Sequence, residues 1–414
     1  MPPATLLESQ DNWRSSFSVE AAKVLRQLRS AIIGMFESMS GGVRKSRDVQ
    51  KLLGVDARLS WQIFKLAGPG EAMSLAPHVP SPAGMRRLIE AARDHGIPKQ
   101  RLEQVKAAFD DFEQLVAIHA GDRTSFHSMA RGLTDDDDSA QTDMQHRKAI
   151  FQGHSHYYGV QLETYLFSVI LKPGSTPNMF DQVSLRAKLG LRRLRPDADV
   201  IVDTVRVDAG GERARSREVM LDPQAAERHH AAILPQFCSQ PLPQLQSIVR
   251  EDGTRYSQLV GDAVGRLGAV DMVFGQVWRD TTLDRGTRPN QNTFGIDVGI
   301  TAPTALIAID FLLHRPSFPH VEADFAVFSE ARYMAIQNRG QLKLPFRERV
   351  ASLGSAPDAA VLREMPRYAE LLEFACGKSA CNISEFDVYR VRVEYPLLDT
   401  VLKLKFNLLG TQQP

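Results

Sequence analysis

The sequence has few cysteines, no long hydrophobic run and almost no net charge. Its three cysteines, Cys238, Cys376 and Cys381, are too few for a disulfide framework and are typical of a reducing cytosol. No apolar stretch approaches the length that crosses a bilayer, and residues 1–10 lack the basic segment of a secretory signal. These absences predict a soluble, cytoplasmic protein with no membrane partner.

A net charge of +1 over 414 residues excludes a whole-chain attraction to nucleic acid, so any attraction must come from a local patch. The densest patch lies between residues 44 and 65, where six cations stand against two aspartates. The six cations are Arg44, Lys45, Arg47, Lys51, Arg58 and Lys65.

Recognised catalytic motifs are absent from the sequence. It contains no P-loop, no dinucleotide-binding G-x-G-x-x-G, no G-x-S-x-G elbow and no H-E-x-x-H. We therefore predict no cofactor, and the sequence identifies no catalytic residue.

Two weaker patterns could carry chemistry. His154 and His156 would point to one face of a strand and could share a metal ion, although surface histidines are commoner. Cys376 and Cys381 could form a reactive thiol pair, but a cysteine at a helix end is often a small buried apolar group.

Residues 46–66, S-R-D-V-Q-K-L-L-G-V-D-A-R-L-S-W-Q-I-F-K-L, predict two short helices joined by a tight turn. Ser46 is suited to cap the first helix and Asp56 the second, because their side chains can accept free backbone N–H groups. Gly54 is suited to the left-handed residue that ends a helix. The apolar residues at helical spacing are Val49, Leu52, Leu53, Leu59, Ile63 and Leu66.

This stretch resembles the helix-turn-helix of bacterial DNA-binding regulators, over about 20 residues. Two positions depart from that pattern. Gln50 stands where the family usually has a small residue, and Ser60 stands where an apolar residue would face the core. A second helix rotated by one residue would instead place Trp61 inward. An ordinary helical hairpin in a bundle is the alternative interpretation.

The resemblance implies that the helix over Ala57–Ala67 enters the major groove of double-stranded DNA. The side chains then expected near base edges are Arg58, Ser60, Gln62 and Trp61. Those expected to hold phosphates are Arg44, Lys45, Arg47, Lys51 and Lys65. A homodimer is expected as well, because two such helices on a two-fold axis read a palindrome.

Hydrophobic periodicity divides the chain into two domains. Residues 1–133 are predicted to be all-α, with helices that include Val19–Met39 and Gln100–His119. An acidic linker is predicted over 134–147, and residues 148–414 form a larger α+β domain rich in antiparallel strands. The strands expected there are Val160–Leu171, Ala269–Trp278, Phe294–Ile300, Ala305–Leu313, Phe325–Ile336 and a closing hairpin of Phe386–Glu394 and Thr400–Leu408, with helices over Asp222–Ile233 and Asp358–Ala375.

The sequence thus favours a sequence-specific DNA-binding transcriptional regulator whose second domain dimerises or senses a small-molecule effector. One alternative is an enzyme with its active site in the α+β domain. Another is a self-assembling structural protein with a helical head.

Overall fold

The computed structural model describes residues 5–39, 42–131, 137–177, 179–206, 217–249, 254–285, 291–330 and 342–409. The chain divides into two compact units, Met1–Gln141 and Thr142–Pro414. The predicted order, a helical N-terminal region followed by a strand-rich region, is confirmed. Among the described helices, none is long and apolar enough to cross a membrane.

The described part of the first unit is helical. Its helices are α1 (Thr5–Glu37), α2 (Ser46–Leu53), α3 (Ala57–Ala67), α4 (Pro82–Asp94), α5 (Lys99–His119) and α6 (Arg123–Arg131), with a 3₁₀ turn over Met73–His78 and the start of α7 (Asp137–Tyr158). Apolar residues three and four apart, such as Leu25, Leu28 and Ile32 of α1, are fully buried in one shared core.

Residues 137–147 of the expected acidic linker lie in α7, and residues 134–136 lie outside the described residues. The division between the two units falls after Gln141, within this helix. The polar composition of the segment therefore coincides with a boundary, although much of the segment is helical.

About half of the described residues of the second unit lie in strands. They are β1 (Val160–Pro173), β2 (Phe180–Arg193), β3 (Ile201–Arg206), β4 (Arg217–Met220), β5 (Leu245–Val249), β6 (Thr254–Leu259), β7 (Val270–Thr281), β8 (Asp284–Arg285), β9 (Gln291–Gly299), β10 (Thr304–His314), β11 (His320–Ser329), β12 (Leu342–Leu344), β13 (Ala351–Ser355), β14 (Phe386–Glu394) and β15 (Thr400–Leu409). The larger part of α7 and two further helices, α8 (Pro223–His229) and α9 (Tyr368–Lys378), accompany them.

These strands form three sheets. The orders are β13-β14-β10-β1-β2-β7-β4, β12-β11-β15-β9-β8 and β3-β6-β5. β1 runs parallel to β10, and the other described pairs between named strands are antiparallel. The seven-stranded sheet packs one face against the five-stranded sheet, where Phe311 and Phe406 have ring centroids 4.4 Å apart. Its other face packs against α9. Burial on both faces explains why β10 is almost continuously apolar.

The closing hairpin predicted from the sequence is wrong. β14 pairs with β10 and β13 in the seven-stranded sheet, whereas β15 pairs with β9 and β11 in the five-stranded sheet. The segment between them contains two residues with left-handed φ angles, Tyr395 at 49° and Asp399 at 53°. The chain therefore crosses from one sheet to the other where a two-stranded turn was expected.

Other elements also differ from the sequence-based expectation. β2, β4, β5, β6, β8, β12 and β13 were not predicted. β11 covers His320–Ser329, and residues 331–336 of the expected strand lie outside the described residues. α9 begins at Tyr368, ten residues after the expected start at Asp358.

Candidate nucleic-acid interface

The turn between α2 and α3 has the conformation that the sequence predicts. Gly54 ends α2 with φ of 65°, and its N–H donates to the carbonyl of Gln50 at 2.9 Å. Val55 is buried beneath the turn. The Asp56 carboxylate accepts the backbone N–H of Leu59 at 2.9 Å and so caps α3.

The start of α2 differs from the prediction, because Ser46 is the first helical residue and not the cap. Asp48, in the first turn, reaches back and accepts the backbone N–H groups of Arg44 at 2.9 Å and Lys45 at 2.8 Å. These two hydrogen bonds hold the pKa of Asp48 below its ordinary value. They also fix the backbone that carries the two cations.

The cations predicted to hold phosphates are exposed. This holds for Arg44, Lys45, Arg47 and Lys51 around α2, and for Lys65 on α3. Lys65 Nζ lies 5.9 Å from the centroid of the Trp61 ring. The structure therefore leaves this charge available at the surface of the first unit.

Ser60 has to be removed from the predicted set of base-contacting residues. It is 1% exposed, and its hydroxyl donates to the carbonyl of Asp56 at 2.8 Å. Trp61 is 45% exposed and packs edge-on against His78, with ring centroids 5.1 Å apart. The one-residue rotation that would bury Trp61 is therefore not adopted, and Gln50 is exposed.

A cavity of about 360 Å³ lies beside the first half of α3. It brings together residues from α3, from the segment before α4, and from α4 and α6. The lining residues are Asp56, Arg58, Leu59, Gln62, Pro77, Val79, Ser81, Gly84, Arg87, Arg123 and His127. Two of the predicted base-contacting residues, Arg58 and Gln62, are therefore lining residues of this cavity.

The cavity is rich in cations. Arg87 Nη1 lies 3.1 Å from Asp56 Oδ2, and the Arg123 guanidinium pairs with Glu113. Arg58 is exposed and its side chain makes no hydrogen bond or ion pair to any residue that the structure describes. The Leu59 backbone N–H, and then Arg87, hold the pKa of Asp56 below its ordinary value. Asp56 is thus ionised at neutral pH and its charge is matched by Arg87, so Arg58 remains as excess positive charge.

Arg87, Arg123 and His127 were not predicted from the sequence. The 3₁₀ turn separates α4, which carries Arg87, from α3, and α6, which carries Arg123 and His127, lies further along the chain. None of the three belongs to a recognisable motif. Only the packing of the first unit brings them to the same cavity as Arg58.

The histidine pair does not form the site that the sequence suggested. His154 and His156 lie in α7 and not in a strand, and side chains two residues apart on a helix diverge by about 200°. Their rings pack on Tyr158 and Tyr157 instead. Within the described ranges, no group of three His, Cys, Asp or Glu side chains could hold a metal ion.

The two cysteines are neighbours at the end of α9. Both are free thiols, and the Cys381 backbone N–H donates to the Cys376 carbonyl at 3.0 Å. A hydrogen bond between the thiols raises the pKa of Cys376 and lowers the pKa of Cys381. A reactive role for this pair stays a prediction.

Two further polar clusters lie in the second unit. Asp310 of β10 is fully buried and accepts two hydrogen bonds from Arg390, at 2.7 and 2.6 Å, and one from the Tyr368 hydroxyl at 2.8 Å. Nearby on the sheet, Arg186 pairs with Asp203 at 2.7 Å. Burial lowers the pKa of Lys188, two residues along the same strand, to about 8.

Comparisons with known proteins identify no family. No family model and no curated protein matches the chain. One similar solved structure is described as a "putative protease" from Parabacteroides distasonis, with 7% identity and a TM-score of 0.23. The match covers 61% of this chain and 41% of that one, so this chain spans less than half of its length. A similarity of this size carries no conclusion about fold or function.

Proposed function

We propose that the protein is a sequence-specific DNA-binding regulator in which α2 and α3 act as a helix-turn-helix. The observation that carries this proposal is the division of α3 into two sides. Leu59, Ile63 and Leu66 are buried in the core, whereas Arg58 and Lys65 are exposed on the opposite side. A helix with this distribution can present side chains to a groove without losing its packing.

The exposed side chains divide by chemistry into two groups. Arg58 and Gln62 can make paired hydrogen bonds to guanine and adenine edges, and Trp61 adds an apolar contact surface. Cations contribute sequence-independent attraction through phosphates. The phosphate group consists of Arg44, Lys45, Arg47, Lys51 and Lys65.

The second unit would supply dimerisation, effector sensing, or both. A single recognition helix discriminates weakly, and a pair on a two-fold axis fixes the spacing of two half-sites. The sheets of the second unit, together with their apolar cores, give a rigid body on which such an interface could be built.

The direct test is selection of bound duplexes from a random DNA pool by the full-length protein, followed by titration of the selected duplex over a range of salt concentrations. We expect the logarithm of the binding constant to fall steeply with that of the salt concentration. Absence of binding, or binding with no salt dependence, would contradict the proposed function.

Single substitutions test the phosphate contacts and the base contacts separately. Lys51→Gln should weaken binding to selected and random duplexes alike and lower the salt slope by about 0.9 if Lys51 contacts one phosphate. Arg58→Gln should reduce the preference for the selected duplex. Lys106→Gln, on the exposed side of α5, is the matched control and should change neither property.

A further inference from the structure

The cavity beside α3 has the features of a small-anion site. We propose that it binds a small phosphate monoester and that the bound ligand competes with DNA for Arg58 and Gln62. The binding site itself is independent of the proposed function. The competition rests on it, because it requires that these two residues contact DNA.

The charge arrangement favours an anion, because Asp56 offsets only one of the Arg58 and Arg87 charges. Arg58 has no partner among the described residues, and Arg87 uses Nη1 for Asp56 while its other donors make no described hydrogen bond. A guanidinium has five N–H donors in a planar fork that matches phosphate oxygens. A phosphate monoester is anionic at neutral pH. Arg58 supplies the positive charge that no carboxylate offsets, and Arg87, whose charge is shared with Asp56, supplies further N–H donors from α4.

Three helices begin beside the cavity, and their N-terminal ends carry positive partial charge. Each end is already capped by a side chain: Asp56 caps α3, Ser81 caps α4 and Asp122 caps α6. The arginine side chains therefore supply the binding charge, and the helix ends add to a field of the same sign.

The remaining lining indicates the kind of ligand. Pro77 is exposed and contributes apolar surface, whereas Leu59 and Val79 line the cavity with side chains that are only 2% and 3% exposed, so the cavity suits a small uncharged organic group. A volume of about 360 Å³ lies at the small end of the range for ligand pockets. A compact monoester fits both properties, whereas a DNA phosphodiester is attached to a long polymer.

A ligand bound in the cavity would lower the affinity for DNA. Gln62 has no hydrogen bond to a described residue, so its amide is available either to the ligand or to a base edge. The same is true of the Arg58 guanidinium. A bound monoester would occupy both groups, and the DNA affinity would fall.

The test uses phenyl phosphate as the probe and phenol as its uncharged counterpart, titrated into the full-length protein by calorimetry. We expect one site for phenyl phosphate and no binding of phenol. Arg87→Gln should raise the Kd for phenyl phosphate about tenfold, the scale of one charge-assisted hydrogen bond. Arg86→Gln is the matched control, because Arg86 is an exposed neighbour on α4 that does not line the cavity. Circular dichroism confirms that both variants are folded.

The second part measures the ratio of the Kd for the selected duplex with and without saturating phenyl phosphate. We expect this ratio to rise well above one in the wild type and in Arg86→Gln, and to be about tenfold smaller in Arg87→Gln at the same probe concentration. No binding of phenyl phosphate, or equal losses in the two variants, would overturn the site. A wild-type ratio of one would overturn the competition. If the protein binds no DNA, the proposed function and the competition both fail, and the calorimetry alone decides the site.

Discussion

Ser60 donates its hydroxyl hydrogen bond to the carbonyl of Asp56, one turn earlier in α3, at 2.8 Å. The same carbonyl accepts the Ser60 backbone N–H at 3.0 Å. The hydroxyl is therefore satisfied inside the helix, and a polar residue can occupy a buried position where an apolar one was expected. The contact makes burial of Ser60 compatible with the orientation of α3, in which Leu59, Ile63 and Leu66 are buried and Trp61 is partly exposed.

Ser60→Ala should be nearly neutral. The Asp56 carbonyl keeps its backbone hydrogen bond, so we expect the free energy of unfolding to change by at most about 1 kcal/mol. DNA affinity should not change, because the side chain is buried. Gln62→Ala on the same helix should lower DNA affinity. Urea unfolding and DNA titration measure the two properties, and an equal loss of affinity in both variants would contradict the assigned orientation of α3.

Two glycine-to-alanine substitutions should change the free energy of unfolding in opposite directions. Gly54 has φ of 65° and open space around an added Cβ, so Gly54→Ala should destabilise the first unit by about 1 kcal/mol through backbone strain alone. Gly153 lies exposed within α7, also with open space, and Gly153→Ala should stabilise by about 0.5–1 kcal/mol. Hydrogen exchange of α2 and α7 amides reports the two effects separately. Destabilisation by both substitutions would contradict this account.

The buried pair of Asp310 and Arg390 should be sensitive to the loss of one partner. Arg390→Met leaves the Asp310 carboxylate buried with only the Tyr368 hydroxyl, and we expect a loss of about 3–5 kcal/mol in unfolding free energy. Arg392→Met removes a cation two residues further along the same strand, whose pair with Glu364 is more exposed. That control should cost at most about 1 kcal/mol. Similar losses in the two variants, measured by urea unfolding, would show that Asp310 tolerates an unpaired charge.

Lys188 should give a pH-dependent stability difference. Burial lowers its pKa from 10.5 to about 8, so below pH 8 the folded protein holds a shielded ammonium at a cost. Between about pH 8 and 10.5 the folded state has lost this proton, whereas the unfolded state still holds it. The free energy of unfolding therefore rises with pH over this range, relative to that of a variant without the amine. Because the side chain is only partly shielded from water, we expect Lys188→Met to stabilise by about 1–2 kcal/mol at pH 7.

The gain from Lys188→Met should shrink as the pH rises toward 10.5. Lys188→Arg is the control, because a guanidinium stays protonated throughout this range and its cost should not be relieved. Urea unfolding at pH 7 and at pH 10 measures the difference. If the stabilisation by Lys188→Met instead grew with pH, the assigned cost of burying the charged amine would be contradicted.

Local periodicity predicted the elements that depend on local pattern. The strand over Phe386–Glu394 has the predicted bounds, and Gly54 has the predicted left-handed conformation. β2 could have been found in the same way, because its buried residues alternate from Val183 to Leu191. Arg186, Lys188 and Arg192 occupy intervening positions and obscured the strand pattern.

Other features depend on tertiary packing and could not be predicted from the local sequence pattern. His154 and His156 were expected to share one face of a strand, yet both lie in α7, which continues to Tyr158. The pairing of β14 and β15 in different sheets depends on which strands are already adjacent. The cavity combines residues from Asp56 to His127, and no sequence spacing indicates that they meet.

The position of β15 has a consequence for biosynthesis. It follows every other described strand in the chain, yet it lies at the centre of the five-stranded sheet, between β9 and β11. Until β15 has left the ribosome, β9 and β11 have no shared neighbour and the apolar layer that faces β10 stays open. The helical unit can close its own core much earlier. The nascent protein would therefore expose the apolar face of an incomplete sheet until β15 is synthesised, and this is the interval in which chaperone binding would matter most.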